Sequence, residues 1–515
     1  MKMTLTGADL LVRAAHDEGV RLCLTHPGAA ELPLVRSLVR EPGVRPVLAL
    51  CEGVATGVAD GYARVARRPA MVLMRGPGLA HAAPNLHHAR RAYSSVVSVV
   101  GDHATTQPAG DARGAAPLEA IAAAVSGWHA TTQSVADAGW DLIDAVGAAR
   151  SGRCPATLVV PVDVQEAEAE ELPVVLAERV RRAPVGEDRV VDCARRIFSA
   201  GRVVLLVGGD ALRAEALPYL ERLGRRPGVR CYAEATPALA ERGSGRPTLP
   251  LLPSGPEGAH RVLRRADLVV LVGAPPPASV CTEPERLPPG ASAERMVVLC
   301  GPVDACADAL GRLVDALPPP RHQLQLAPQP AADGHREWDT ATAAQTIAER
   351  LPQHAVLSLE DDRWADAVAE ASATAAPHTL LSTPGGPLGQ GLPVAVGAAL
   401  AAPHRSVLAV QSPAGAHYTA PALWTVAREE LDVTVVIPRP RPAEPRHQEL
   451  RSADGRPRPQ GAIRLSSPEH PAVGWAEIAT GYGVPVETAA TRDELDQALA
   501  TAFAEPGPHL VLVDV

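Results

Sequence analysis

Glu52 stands where an apolar run meets a helical pattern, in LALCEGVATGVADGYARV. In open α/β sheets ligands bind at that join of strand end and helix start. A carboxyl placed there can exchange a proton with a bound group, and it also complements the positive end of a helix dipole. A second stretch, TPGGPLGQGLPVAVGAALAAP at 383–403, carries Gly385, Gly386, Gly389 and Gly391. These glycines let the backbone approach a ligand, or let the Ala-rich helix after them pack closely. A third, VLAVQSPAGAHYTAPALWT from Val407, reads as strand, small-residue loop and helix. Loops of that outline cradle phosphates. Yet Ser412, Pro413 and Ala414 include no carboxylate that could hold a metal.

Other candidate chemistry is thinner. His81, His87, His88 and His103 fall in one region, and His81 and His88 suit one helix face. No carboxylate or cysteine completes a metal set with them, so they read as polar surface or pocket lining. No GxSxG elbow and no P-loop is present, which leaves a serine hydrolase or nucleoside triphosphatase unsupported. VGGDALRAEA lacks the glycine spacing of a dinucleotide fingerprint.

The elements that must position these residues follow from the hydrophobic pattern. Residues 4–20 read as an amphipathic helix capped by Thr6. RLCLTHPG, RPVLALCEG, PAMVLMRGPG and SSVVSVVGDH are short apolar strands, and helical patterns lie between them. That alternation means a parallel sheet covered on both faces. GRVVLLVGGDA, ADLVVLVGAPP and RMVVLCGP start a second α/β unit. AVLSLED, HTLLSTPGG, SVLAVQS, LDVTVVIP and HLVLVDV supply a third. The expected organisation is three doubly wound parallel-sheet domains, at 1–165, 186–318 and 338–515, joined by a charged linker and a Pro/Gln-rich one.

With 515 residues the chain has room for about three domains. Its net charge of -9, with basic residues scattered, argues against a nucleic-acid partner. The 8 cysteines form no CxxC pair and read as buried thiols in a reducing compartment. No apolar run is long enough for a membrane span and the N-terminus does not read as a leader, so a cytoplasmic protein is expected.

Taken together, LCEGVATGVADGYARVARRPA, GPGLAHAAPNLHHARRA, VVSVVGDHAT, GGPLGQGLPVAVGAAL and YTAPALWTVAREELDVTVVI resemble the thiamine diphosphate-dependent enzymes, most closely the acetolactate synthase large-subunit-like branch. The resemblance spans essentially the whole chain. It implies a pyrimidine-binding, a central and a diphosphate-binding domain. It also implies a homodimer or homotetramer, or pairing with a catalytic paralogue, with the cofactor between the first domain of one subunit and the third of another. Glu52 matches the glutamate that hydrogen-bonds the aminopyrimidine and so helps remove the thiazolium proton, readying the cofactor to attack a small 2-oxo acid. In a largely apolar pocket that carboxyl would hold its proton to higher pH. The implied cofactor contacts are Gly76, Pro77, Gly78 and Asn85 in the first domain. In the third they are Gly386, Gly389, Gln390, Gly391, Ser412, Ala414 and Gly415. Glu360 matches an acid of close relatives, followed by Asp361 and Asp362.

The chain departs from the family at the metal. Pro413 stands at the aspartate of the family's Gly-Asp-Gly loop, and Pro440 at its asparagine. Proline has no side-chain oxygen, while Mg²⁺ needs hard oxygen ligands. Pro438, Pro442 and Pro445 crowd the same segment. Two readings follow. In one, thiamine diphosphate binds without the usual metal ligands, its charge met by Arg439, Arg441 and Arg446. In the other, the chain is a non-catalytic relative or partner subunit. A solvated, proline-stiffened loop is the commoner explanation of such arginines.

Overall fold

The computed structural model describes residues 5–107, 117–170, 184–247, 249–253, 256–277, 295–319, 337–360, 363–439 and 472–515. The side chains of 256, 257 and 363 are not part of that description. Three main parallel sheets organise these residues. The first has six parallel strands in the order Arg45–Leu48, Leu22–His26, Ala70–Arg75, Val96–Asp102, Ala156–Pro161, Trp128–Thr131. Its central strands are buried at almost every position, as a sheet with helices on both faces requires. The Gly7–Asp17 helix starts at Thr6, whose hydroxyl accepts the Asp9 N–H at 3.3 Å while the Asp9 carboxylate reaches back to the Thr6 N–H at 3.0 Å.

The central sheet has four parallel strands, in the order Val229–Ala233, Val203–Val207, Leu268–Val272, Met296–Cys300. The third runs His378–Leu381, Val356–Leu359, Val407–Val410, Val433–Arg439, Pro508–Asp514, Val486–Ala489, all parallel. Ala240–Arg242 adds to its edge, antiparallel to His378–Leu381. That strand comes from chain lying between the second and third strands of the central sheet, so the central segment stitches itself to the third. The head of the charged linker also turns back: Glu168–Ala169 pairs antiparallel with Leu5–Thr6. The rest of that linker, and most of the Pro/Gln-rich one, lies outside the described residues.

Two helices bring the first and third sheets together. Gly391–Ala401 is apolar on all sides and buried along nearly its whole length, as a helix enclosed by protein should be. It lies on the Glu52–Ala66 helix, buried from Val54 to Arg64. Their backbones touch. A Cβ on Gly61 would lie 2.7 Å from Val394 Cα, and one on Gly397 would lie 2.5 Å from the Tyr62 nitrogen. Glycine at both positions is what lets the axes approach so closely. The pairing fixes the first turn of each helix, where the candidate site residues sit.

Candidate functional site

Glu52 is the first residue of its helix and is 1% exposed. Its surroundings are not the largely apolar pocket expected. Arg75 Nε lies 3.4 Å from Oε1, His81 Nδ1 3.5 Å from Oε2 and His26 Nε2 3.9 Å from Oε1. None of these is a hydrogen bond by geometry, and the buried Oε1 has no hydrogen-bond partner. The His26 ring is fixed from behind, its Nδ1 donating to the Ala49 carbonyl at 3.1 Å. Gly78 keeps the space over the carboxyl open, since a Cβ there would lie 2.7 Å from Glu52 Cγ. The half-exposed Arg75 ends its strand and directly precedes Gly76, Pro77 and Gly78. Sequence reasoning missed Arg75 and His26, although both stand at the carboxyl ends of parallel strands, where the rule for open sheets places ligands.

Asn85 ties two helices of the first domain, and Gln390 serves the join between domains. Asn85 is buried on the Gly78–Arg91 helix and donates to the Gly53 carbonyl. The Gln390 amide donates to Asp60 at 2.6 Å. His88, on the same helix as His81, turns to the third domain rather than to Glu52. The Gly385 N–H donates to its Nδ1 at 2.9 Å, and its Nε2 donates to the Pro387 carbonyl at 2.6 Å. Those two bonds fix a neutral tautomer, and burial pushes the ring's pKa down to about 4. Gly386 and Gly389 both adopt positive φ, 95° and 98°, which shapes the turn leading into Gly391.

The loop after Val407–Val410 is a helix start in its own right. Ser412 caps Pro413–Thr419, its hydroxyl accepting the Gly415 N–H at 2.9 Å. Pro413 takes the first helical position, where its fixed φ and missing N–H cost nothing. Ala414 follows, half-buried. Gly415 packs on buried Glu360, and a Cβ on it would meet Glu360 Oε2 at 2.6 Å. Glu360 in turn accepts the Gly389 N–H. Among the described residues no three His, Cys, Asp or Glu side chains group as a metal site. Arg439 forks onto Asp514, at 2.7 and 3.0 Å. Pro440, Arg441, Pro442, Pro445, Arg446, Asp361 and Asp362 lie outside the described residues.

Residues 5–122 match the family model for the thiamine pyrophosphate enzyme N-terminal TPP binding domain, and residues 363–513 match that for its C-terminal TPP binding domain. The chain is 38% identical to a Mycobacterium tuberculosis protein named putative acetolactate synthase large subunit IlvX, over 99% of each chain. It is 25% identical to the acetolactate synthase isozyme 1 large subunit of Escherichia coli, over 99% of this chain and 94% of that protein. Its fold is similar to that of the thiamine diphosphate-dependent 4-hydroxybenzoylformate decarboxylase of Rhodococcus jostii, with a TM-score of 0.83 at 23% identity over 99% of each chain. Among the described residues no helix is long and apolar enough to cross a membrane.

Proposed function

Because the chain belongs to the thiamine diphosphate-dependent enzymes, we propose that it is an acetolactate synthase-like lyase or carboligase acting on a small 2-oxo acid. The observation that carries this reading is Glu52, a buried carboxyl whose Oε1 lacks a hydrogen-bond partner beneath the opening kept by Gly78. That unsatisfied acceptor fits a nitrogen donor on the aminopyrimidine. A buried oxygen of this kind is costly unless a ligand completes it. When bound, the cofactor supplies an electron sink for carbon–carbon bond cleavage or formation. The chain's part is to hold and exchange the proton at Glu52 Oε1, with the Arg75 guanidinium balancing its charge and the His26 and His81 rings beside it.

The anchorage of the diphosphate is proposed to differ from that of the family. Pro413 offers no side-chain oxygen, so its side chain cannot serve as the magnesium ligand that an aspartate would supply. Arg439 is already engaged by Asp514, which leaves Arg441 and Arg446 as the guanidinium groups for such a role. The working unit is proposed to be a homodimer or homotetramer, with a catalytic paralogue as the alternative partner. A second reading, a non-catalytic homologue, is favoured by the same Pro413. It sits at a well-capped helix start that asks nothing of a metal.

Calorimetry with thiamine diphosphate, with Mg²⁺ and then with EDTA, tests both readings. Binding that survives EDTA, is lost in Glu52→Gln and accompanies turnover of a 2-oxo acid supports the enzyme. Undetectable binding supports the non-catalytic homologue. Binding abolished by EDTA overturns the altered anchorage.

A further inference from the structure

Glu31 is the other carboxyl at this end of the first sheet. It closes the turn Ala29–Glu31 after the Leu22–His26 strand and is 0% exposed. One oxygen, Oε2, accepts the Gly28 N–H at 2.6 Å. The other, Oε1, is buried without a hydrogen-bond partner. The carboxyl lies over Gly101 on the Val96–Asp102 strand, where a Cβ would come 2.7 Å from Glu31 Cδ, so the side chain enters only because residue 101 is glycine. The stem of Arg75 runs alongside. A point built for Cβ on Gly28 is 3.0 Å from Glu31 Oε2 and 3.6 Å from both Cβ and Cδ of Arg75. The guanidinium of that same arginine stands 3.4 Å from Glu52 Oε1. One half-exposed cation therefore pairs with Glu52 and carries its stem past Glu31, near enough for its charge to act on both carboxyls.

We propose that Glu31 is a positioning residue for Glu52, dividing the charge of Arg75 with it and so setting the ease with which Glu52 gives up its proton. Holding the Gly28 amide does not need an acid, since a glutamine oxygen would serve. What the acid adds is a charge that can switch. With Glu31 ionised, Arg75 is shared, and Glu52 keeps its proton more readily. With Glu31 neutral, the arginine answers to Glu52 alone. Burial pushes the Glu31 pKa up, while the Gly28 amide and the Arg75 charge oppose that rise, so the switch falls above the usual carboxylate range. Of the other elements packed on Glu31, the Val96–Asp102 strand brings one further carboxylate and the Leu32–Arg40 helix two arginines. Asp102, next to Gly101, accepts the His103 N–H. On the Leu32–Arg40 helix, Arg40 pairs with Asp9 and Arg36 is exposed.

The consequence for catalysis rests on the role given to Glu52 above, but the coupling is measurable without cofactor. Infrared titration of the full chain in the carboxyl-stretch region reads the protonation of Glu31, assigned by the band lost in Glu31→Gln. Glu52→Gln removes a negative charge and frees Arg75, so the Glu31 midpoint should fall by about 0.5–1 pH unit. Arg75→Leu, at a half-exposed position, should raise it by a similar amount. A midpoint unmoved in both variants overturns the proposal, whatever the chain turns out to bind. Failure to bind thiamine diphosphate with the midpoint shifts intact overturns only the reading of Glu52 as the cofactor's partner.

Discussion

Asp60 and Gln390 meet across the interface between the first and third domains, the glutamine amide donating to Oδ2 at 2.6 Å. The same carboxylate pairs with Arg64 one turn along its helix and accepts the Ser94 hydroxyl. Arg64 continues to the Ser382 carbonyl at 2.7 Å. Asp60 and Arg64 are 0% and 3% exposed, so solvent cannot replace either partner. Asp60→Ala leaves a guanidinium buried without its counter-charge and should cost about 3–5 kcal/mol. Urea unfolding measures it. A loss below about 1 kcal/mol would mean that the interface opens to water.

The helix pair beside that network gives a sharper test of sign. Alanine in place of a helical glycine normally stabilises by about 0.5–1 kcal/mol. At Gly61 and Gly397 the added methyl would strike backbone of the facing helix, and backbone cannot swing aside as a side-chain end can. Gly61→Ala and Gly397→Ala should each destabilise by about 1–3 kcal/mol. Gly147, inside the Val135–Gly152 helix, has nothing within 4 Å of its Cβ position. Gly147→Ala should stabilise, and chemical denaturation of the three variants side by side decides the matter.

The sequence made most interior strands legible because helices cover them on both faces, which leaves runs such as Val203–Val207 apolar throughout, although the equally buried Ala156–Pro161 was not read as a strand. Three of the edge strands carry no such mark. Val229–Ala233 includes exposed Arg230, Val486–Ala489 is largely polar, and Ala240–Arg242 spans three residues, so their pairing is decided by tertiary neighbours. At the site, the strand–helix join marked Glu52 as a candidate but fitted a helix-dipole role as well, and only the family resemblance gave it a functional one. Its neighbours Arg75, His26 and His81 come from two other strand ends and a second helix, and single-chain spacing does not reveal which of those converge. The inter-domain roles of His88 and Gln390 were hidden for the same reason, since their partners lie 297 and 330 positions away.

Opposed pH dependences should appear in stability. Burial lowers the pKa of His88 and His378 to about 4. Between that value and the usual histidine range near 6.5 the unfolded chain binds more protons, so stability from these two rings is lost as pH falls through that window. Glu234 works the other way. Burial raises its pKa to about 7, against the Gly209 amide and Arg91. The folded chain then binds the extra proton, and this contribution is lost as pH rises from about 4.5 to 7. Glu234→Gln should therefore be more stable than the parent at pH 7.5, by about 1–2 kcal/mol, and the gap should close near pH 4.5. Urea unfolding at several pH values reads the gap. A constant difference would place the effect in packing rather than in titration.

Gly78 decides whether the Glu52 carboxyl stands where a ligand can use it. Alanine there suits helix propensity, but the methyl must push aside the buried Glu52 side chain, so stability should fall by about 1 kcal/mol. The methyl would lie 2.7 Å from Glu52 Cγ and displace the carboxyl. Losing one charge-assisted hydrogen bond costs about 1.5–3 kcal/mol, so thiamine diphosphate affinity should fall by about 10- to 100-fold in Gly78→Ala. Gly53 is the control in the neighbouring turn, since its Cβ position is 3.5 Å from the His81 carbonyl, an ordinary contact. Gly53→Ala should keep its affinity. Equal affinities in the two variants, measured by calorimetry, would separate the cofactor from Glu52. The unsatisfied Oε1 would then need a different ligand.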